Sequence, residues 1–93
     1  MNHDIEMTHA ELLEQGFMDV SMPDPMNVAS IRELAETCFK SSNRFQCSDS
    51  EKHQLERILG GYISRTDTAV AMAMIYPFKI KEGVALFKCK RAI

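Results

Sequence analysis

Cys38, Cys47 and His53 are the one trio in this 93-residue chain whose side chains and separation suggest a metal site. Zinc sites usually pair two ligands two to four residues apart on one turn, and here eight residues separate the cysteines and five separate Cys47 from His53. The spacing therefore predicts no metal centre and no cofactor. Cys38 falls on the apolar face of a predicted helix, where a free cysteine behaves as a small hydrophobe. His3 and His9 flank a predicted helix start at a separation that suits neither one helical face nor a tight chelate. Both are expected as solvated surface histidines.

For nucleophilic chemistry the candidates are a cysteine with His53, or Ser64 and Thr66 with Asp67. None sits in a nucleophile turn, and the Gly60-Gly61 pair upstream of Ser64 lacks the lysine of a phosphate-binding loop. Glu11 and Glu14 lie one turn apart on a predicted surface helix, where carboxylates normally face water. A chain this short also has little room for a water-excluded pocket. No catalytic residue is assigned, and the expectation is a binding protein rather than an enzyme.

Charge is the stronger signal. Residues 1–36 hold one basic residue against eight acidic ones, a net −7, whereas residues 37–93 hold ten basic against five acidic, a net +5. Such segregation bears on partners and steering, and not on fold. Two readings stay open: the poles neutralise each other inside one domain, or each is a binding face.

The elements that must position these residues are legible in part. Thr8 to Glu11 has capping-box form with Met7 and Leu12 as a hydrophobic staple, so a short helix is predicted from His9 to about Gln15, ended by Gly16. Pro23 and Pro25 keep 17–24 out of a helix, leaving a short strand or an extended connector. Asp24-Pro25 is a cap and first-turn pair opening a second helix to about Ser41, with Val28, Ile31, Leu34, Ala35, Cys38 and Phe39 on one face. Phe45, in the polar break that follows, is expected to tuck under the neighbouring helices. Ser48 to Glu51 is a second capping box, opening a third helix with Leu55, Ile58, Leu59 and Tyr62 as its buried stripe and an end near Gly60. The apolar run 69–76 fits helix or strand, and its eight residues before Pro77 favour a strand. Phe78–Ile80 and Val84–Lys90 flank Lys81-Glu82-Gly83 and predict a β-hairpin with Phe78, Ile80, Phe87 and Cys89 facing inward.

Helices first and strands last give an α+β class: about three N-terminal helices packed on a small antiparallel sheet with a C-terminal β-hairpin, in a single domain over residues 1–93. No stretch reaches membrane-span length, no secretory signal is visible, and three cysteines fit reduced thiols in the cytoplasm. The expected function is a small cytosolic regulator or inhibitor that binds another protein, or itself, through Glu6, Glu11, Glu14 and Asp19 with Met18, Met22 and Met26. Core filling is the commoner role for those three methionines, and partner contact is the alternative. A nucleic-acid-binding regulator using Arg44, Lys52, Arg57, Lys88, Lys90 and Arg91 is the second expectation, weakened by the acidic pI of about 5.9.

Overall fold

A computed structural model of the chain describes the backbone of residues 2–92 and the side chains of residues 4–92. Helix α1 spans Asn2–Glu14 and so begins well before the predicted cap. Thr8 lies inside it, and its hydroxyl donates to the Asp4 carbonyl at 2.8 Å rather than capping an end. The longer helix places Ile5, His9 and Leu12 on one buried stripe at i, i+4 and i+7. His9 is therefore buried, against the expected surface position; the side chain of His3 lies outside the described residues. Gly16, at φ 108°, ends α1. The Phe17 amide donates to Leu12 O and the Gly16 amide to Leu13 O, a Schellman closure with Leu12 and Phe17 both in the core.

Helix α2, Pro25–Cys38, opens as its sequence predicts: the Asp24 carboxylate accepts from the Met26 and Asn27 amides with Pro25 in the first turn. Val28, Ile31, Ala35 and Cys38 form its buried face. It stops short of Ser41 because Phe39–Ser41 becomes strand β1, whose backbone pairs with β5, Cys89–Arg91. Strand β2, Cys47–Ser48, leads into a 3-10 turn at Asp49–Glu51 and helix α3, Lys52–Leu59. Ser48 caps the Ser50 amide, but Glu51 turns away to Arg91, so the reciprocal half of the capping box does not form. Gly60, left-handed at φ 78°, ends α3 where the sequence puts it. Of the predicted α3 stripe only Leu55 is buried; Ile58, Leu59 and Tyr62 are exposed.

The segment predicted as a strand is helix α4, Arg65–Ala73. Ser64 caps it by accepting from the Asp67 amide at 3.0 Å. Every residue from Thr66 to Met72 is buried. In that position a strand would need neighbours on both edges, whereas a helix satisfies its own backbone, and Ala69, Ala71 and Ala73 are the strongest helix formers. The run appeared too short for a helix only because the polar first turn, Arg65–Thr68, belongs to it.

Strands β3, Phe78–Lys81, and β4, Val84–Phe87, form the predicted hairpin, with Lys81 opposite Val84. Its two turn residues, Glu82 (φ 53°) and Gly83 (φ 80°), both take positive φ, the type I′ geometry that matches strand twist. The antiparallel strand orders are β2-β4-β3 and β1-β5, so the class is α+β, with four helices among the described residues rather than three. Nineteen buried apolar residues, with Phe87, Leu12, Ile31, Leu55 and Met72 the largest, form one core cluster around α4.

Two buried carboxylates tie this core together. Asp49 accepts from the Ala85 amide at 3.0 Å and pairs with Arg65 at 3.1 Å, joining the turn before α3 to β4 and α4. Asp67 accepts from the Asp24 amide at 2.8 Å and from Asn27 Nδ2 at 3.4 Å, joining α4 to the start of α2. Replacing Asp49 by Ala strands a buried amide and a cation, so urea unfolding should show a loss of about 2–3 kcal/mol, and Asp49→Asn, which keeps an acceptor, a smaller one. His9 Nε2 is buried with no hydrogen-bond partner among the described residues. His9→Leu should therefore raise stability by about 1 kcal/mol in the same assay.

Candidate functional site

The charge segregation survives folding. Four ion pairs form among the described residues: Lys52–Glu56 and His53–Glu56 at 3.3 Å, Arg65–Asp49 at 3.1 Å and Arg91–Glu51 at 2.8 Å. The seven residues involved, Glu56 serving two of the pairs, all lie between residues 49 and 91, and none of these pairs joins a carboxylate of the first third to a cation. The two poles thus do not neutralise each other through ion pairs, which removes direct pairing from the internal-complementarity reading.

On the acidic side, Asp4, Met7, Glu11 and Glu14 recur at three- and four-residue spacing and share one exposed face of α1. Glu6 is exposed elsewhere on the same helix. A shallow cleft of about 460 Å³ lies beside this face, with Asp4 and Glu11 on one wall, Arg32 on the other, and Met7, Ala73 and Met74 supplying apolar surface. Asp19, half-buried in the connector, accepts from the Ser21 hydroxyl at 2.6 Å and the Ser21 amide at 2.9 Å. Those two bonds hold its carboxyl below its ordinary value and keep it ionised.

The connector 17–24 carries the clearest departure from a folded interior. It is pinned at both ends. Phe17 is buried with the Arg65 guanidinium 5.1 Å from its ring, the Met18 amide and Arg65 Nη2 both donate to Gly83 O at 3.2 and 2.9 Å, and the Asp24 amide donates to Asp67. Between these anchors the chain forms no helix or strand: it bends at Met18, closes a short turn from Asp19 to Ser21, reaches Asp24 in extended conformation, and leaves Met18, Val20 and Met22 at the surface. They are 68%, 76% and 76% exposed, and Met26, at the start of α2, is 80% exposed. The core-filling role expected for the methionines is thus corrected. Val20, which the sequence reading did not single out, belongs with them; its two-residue spacing from Met18 and Met22 was the available signal. Next to Met26 in sequence, Asn27 lines a small cleft of about 100 Å³ whose far wall is Leu59, Gly61, Tyr62 and Ile63.

The basic candidates divide. Arg44 and Lys90 are exposed and Lys88 is half-buried, and none forms an ion pair among the described residues. Lys52 is engaged by Glu56, the Ile63 carbonyl at 3.0 Å and the Tyr62 ring at 4.7 Å, and Arg91 is engaged by Glu51, so both are structural. Arg57 is exposed on α3 and forms no ion pair among the described residues. Two lysines outside the predicted set join the group: Lys40 stands directly opposite Lys90 in the β1-β5 ladder, and Lys79 reaches Phe45. Phe45 itself does not tuck under the helices. Its ring lies 4.5 Å from Lys79 Nζ and 5.3 Å from Lys88 Nζ.

Cys38, Cys47 and Cys89 are buried free thiols, and burial pushes all three above their ordinary value, Cys89 furthest. His53 stands at the surface against Glu56, apart from the buried cysteines. No group of three or more His, Cys, Asp or Glu side chains is placed to hold a metal among the described residues. Ser64 and Asp67 are occupied in capping and anchoring, and Thr66 is fully buried beside them. No described helix is long and apolar enough to cross a membrane. No protein-family model, curated protein or solved structure matches the chain.

Glu56 accepts from the Ile63 amide at 2.9 Å and from Lys52, which lowers its carboxyl below the ordinary 4.5. Its unfolded-state value is the higher one, so its contribution is present above pH 4.5 and is lost as pH falls below it. Asp19 acts in the same direction from its ordinary 3.8. Thermal unfolding across pH 3 to 6, a range of roughly that width around ordinary carboxylate values, should show the midpoint falling on the acid side. In Glu56→Gln with Asp19→Asn that fall should be shallower.

Proposed function

We propose that the chain is a small non-enzymatic regulator or inhibitor that acts by binding another protein, with the connector residues Met18, Val20, Met22 and Met26 as the contact surface. The observation that supports this reading is an irregular segment, anchored at both ends by hydrogen bonds to Gly83 and Asp67, that leaves its apolar side chains exposed to solvent. Grouped apolar exposure on an ordered segment marks contact surfaces, and methionine adapts its shape to irregular partners. The carboxylates of Glu11, Glu14 and Asp19 would form an acidic rim, which fits a partner with an apolar patch bordered by lysine or arginine. Buried reduced thiols fit work in a reducing compartment such as the cytoplasm.

A triple variant, Met18→Ser with Met22→Ser and Met26→Ser, tests the reading, since the three side chains lie outside the core and their loss should leave circular dichroism unchanged. Comparative capture by wild type and variant, with light scattering to detect self-association, should show a partner or a second copy bound by the wild type. The variant should bind it at least about 100-fold more weakly, roughly 1 kcal/mol lost per methionine. If the wild type stays monomeric and every protein it retains is retained equally by the variant, the proposal fails.

A further inference from the structure

The basic surface raises a question that the protein-binding proposal leaves unanswered. In the β1-β5 ladder Lys40 and Lys90 are direct cross-strand partners. Like charges in that position disfavour pairing. The ladder continues through the Ser42 amide donating to Lys88 O at 3.1 Å. Phe87 and Cys89 are fully buried, Lys90 stands exposed on β5 opposite Lys40, and Lys88, at the bend between β4 and β5, is half-buried. Lys79 of β3 is drawn to the same surface by Phe45, whose ring is within 4.5 Å of Lys79 Nζ and 5.3 Å of Lys88 Nζ. Beside these lies an open cleft of about 410 Å³ lined by Ser41, Ser42, Asn43, Arg44, Gln46 and Lys90. Two cations and four neutral polar side chains line it, and no carboxylate does.

A guard against edge-to-edge aggregation accounts for lysines on β3, which is the free edge of its sheet. Strands β1 and β5 form a two-stranded sheet and are edges as well, so a lysine on either fits the same guard; it does not account for two lysines set directly opposite each other, nor for a polar cleft that continues the same charge. We propose that this surface binds the phosphodiester backbone of a nucleic acid, with Lys40, Arg44, Lys88 and Lys90 contacting phosphates and Phe45 holding Lys79 and Lys88 in place. Phe45 already carries two ammonium groups on its ring, so it offers no open stacking platform. Recognition is through phosphates and independent of base sequence. The set differs from the sequence-based one by losing Lys52 and Arg91 to ion pairs, leaving out Arg57 on α3, and gaining Lys40 and Lys79. It lies on other residues than the connector and does not rest on the protein-binding reading.

Fluorescence anisotropy with labelled single-stranded and duplex oligonucleotides of mixed sequence, and with inorganic polyphosphate as competitor, tests this. Binding to at least one oligonucleotide should weaken by roughly 100-fold between about 50 and about 200 mM salt, as four phosphate contacts require. Lys40→Ala with Lys90→Ala should reduce the salt slope by about two contacts, and Arg44→Ala by about one. The lysine double variant should melt no lower than wild type, because it removes a like-charge pair. The Met18, Met22 and Met26 serine variant should bind oligonucleotide unchanged, which separates this site from the connector. Three results would overturn the proposal: no anisotropy change at low salt, binding of polyphosphate alone, or oligonucleotide binding that these lysine and arginine variants leave intact.

Discussion

A nine-residue helix buried on nearly all sides sets the terms for everything packed around it. Apolar burial is easy for Ala69, Val70, Ala71 and Met72, but the polar first turn of α4 enters the interior as well, where only the Thr66 hydroxyl is left without a partner among the described residues. Ser64 caps the Asp67 amide, Asp67 takes the Asp24 amide and Asn27, and Arg65 takes Asp49 and the Gly83 carbonyl. Those few bonds locate the start of α2, the hairpin turn and the turn before α3 relative to one another. They also fix both ends of the connector. With α4 occupying the centre, the connector crosses the outside of a filled core, and its apolar side chains Met18, Val20 and Met22 face water.

This centre was the part of the fold least visible in the sequence. Helix α2, the end of α3 and the hairpin were legible because their signals are local: an Asp-Pro cap, a terminal glycine and a Glu-Gly turn each act within a few residues. The α4 run has no polar face, so periodicity carries no information there, and length points to a strand only when counted from Ala69, whereas Arg65–Thr68 belong to the same helix. Thr8 misled in the other direction. A capping box is only one use of a threonine before a helical run, and burial of Ile5 one turn upstream outweighed it. The α3 stripe failed for a third reason: a correct helical face was assigned, yet only Leu55 meets the core, because the short helix is covered along one turn alone.

The candidate surfaces show the same division between local and long-range information. The cluster of Met18, Met22 and Met26 around the prolines was readable as a group, but whether it faced inward depended on what already filled the interior, and that was α4. The basic residues were readable as a charge excess. Which of them stay unpaired depended on contacts across 40 residues, as between Arg91 and Glu51, and on a ladder that sets Lys40 against Lys90 across 50. Phe45 gave no sequence signal for its position over the sheet, since the lysines that hold it lie 34 and 43 residues further on.

Stability and surface are coupled through the same few atoms. A domain of this size buries only about 60–65% of its unfolded surface, so its margin is thin and the polar anchors of α4 form a large part of what distinguishes the native arrangement. The connector is joined to those anchors at Gly83 and Asp67 and contributes little apolar burial of its own beyond Phe17. Its ordering therefore depends on α4 being in place, and the dependence is mutual, because losing the Asp24 amide leaves a buried carboxylate oxygen of Asp67 short of a partner. Any ligand that holds the connector in its native form consequently adds to the stability of the whole core by mass action. The apolar side chains left at the surface and the buried charges beneath them are two ends of one arrangement.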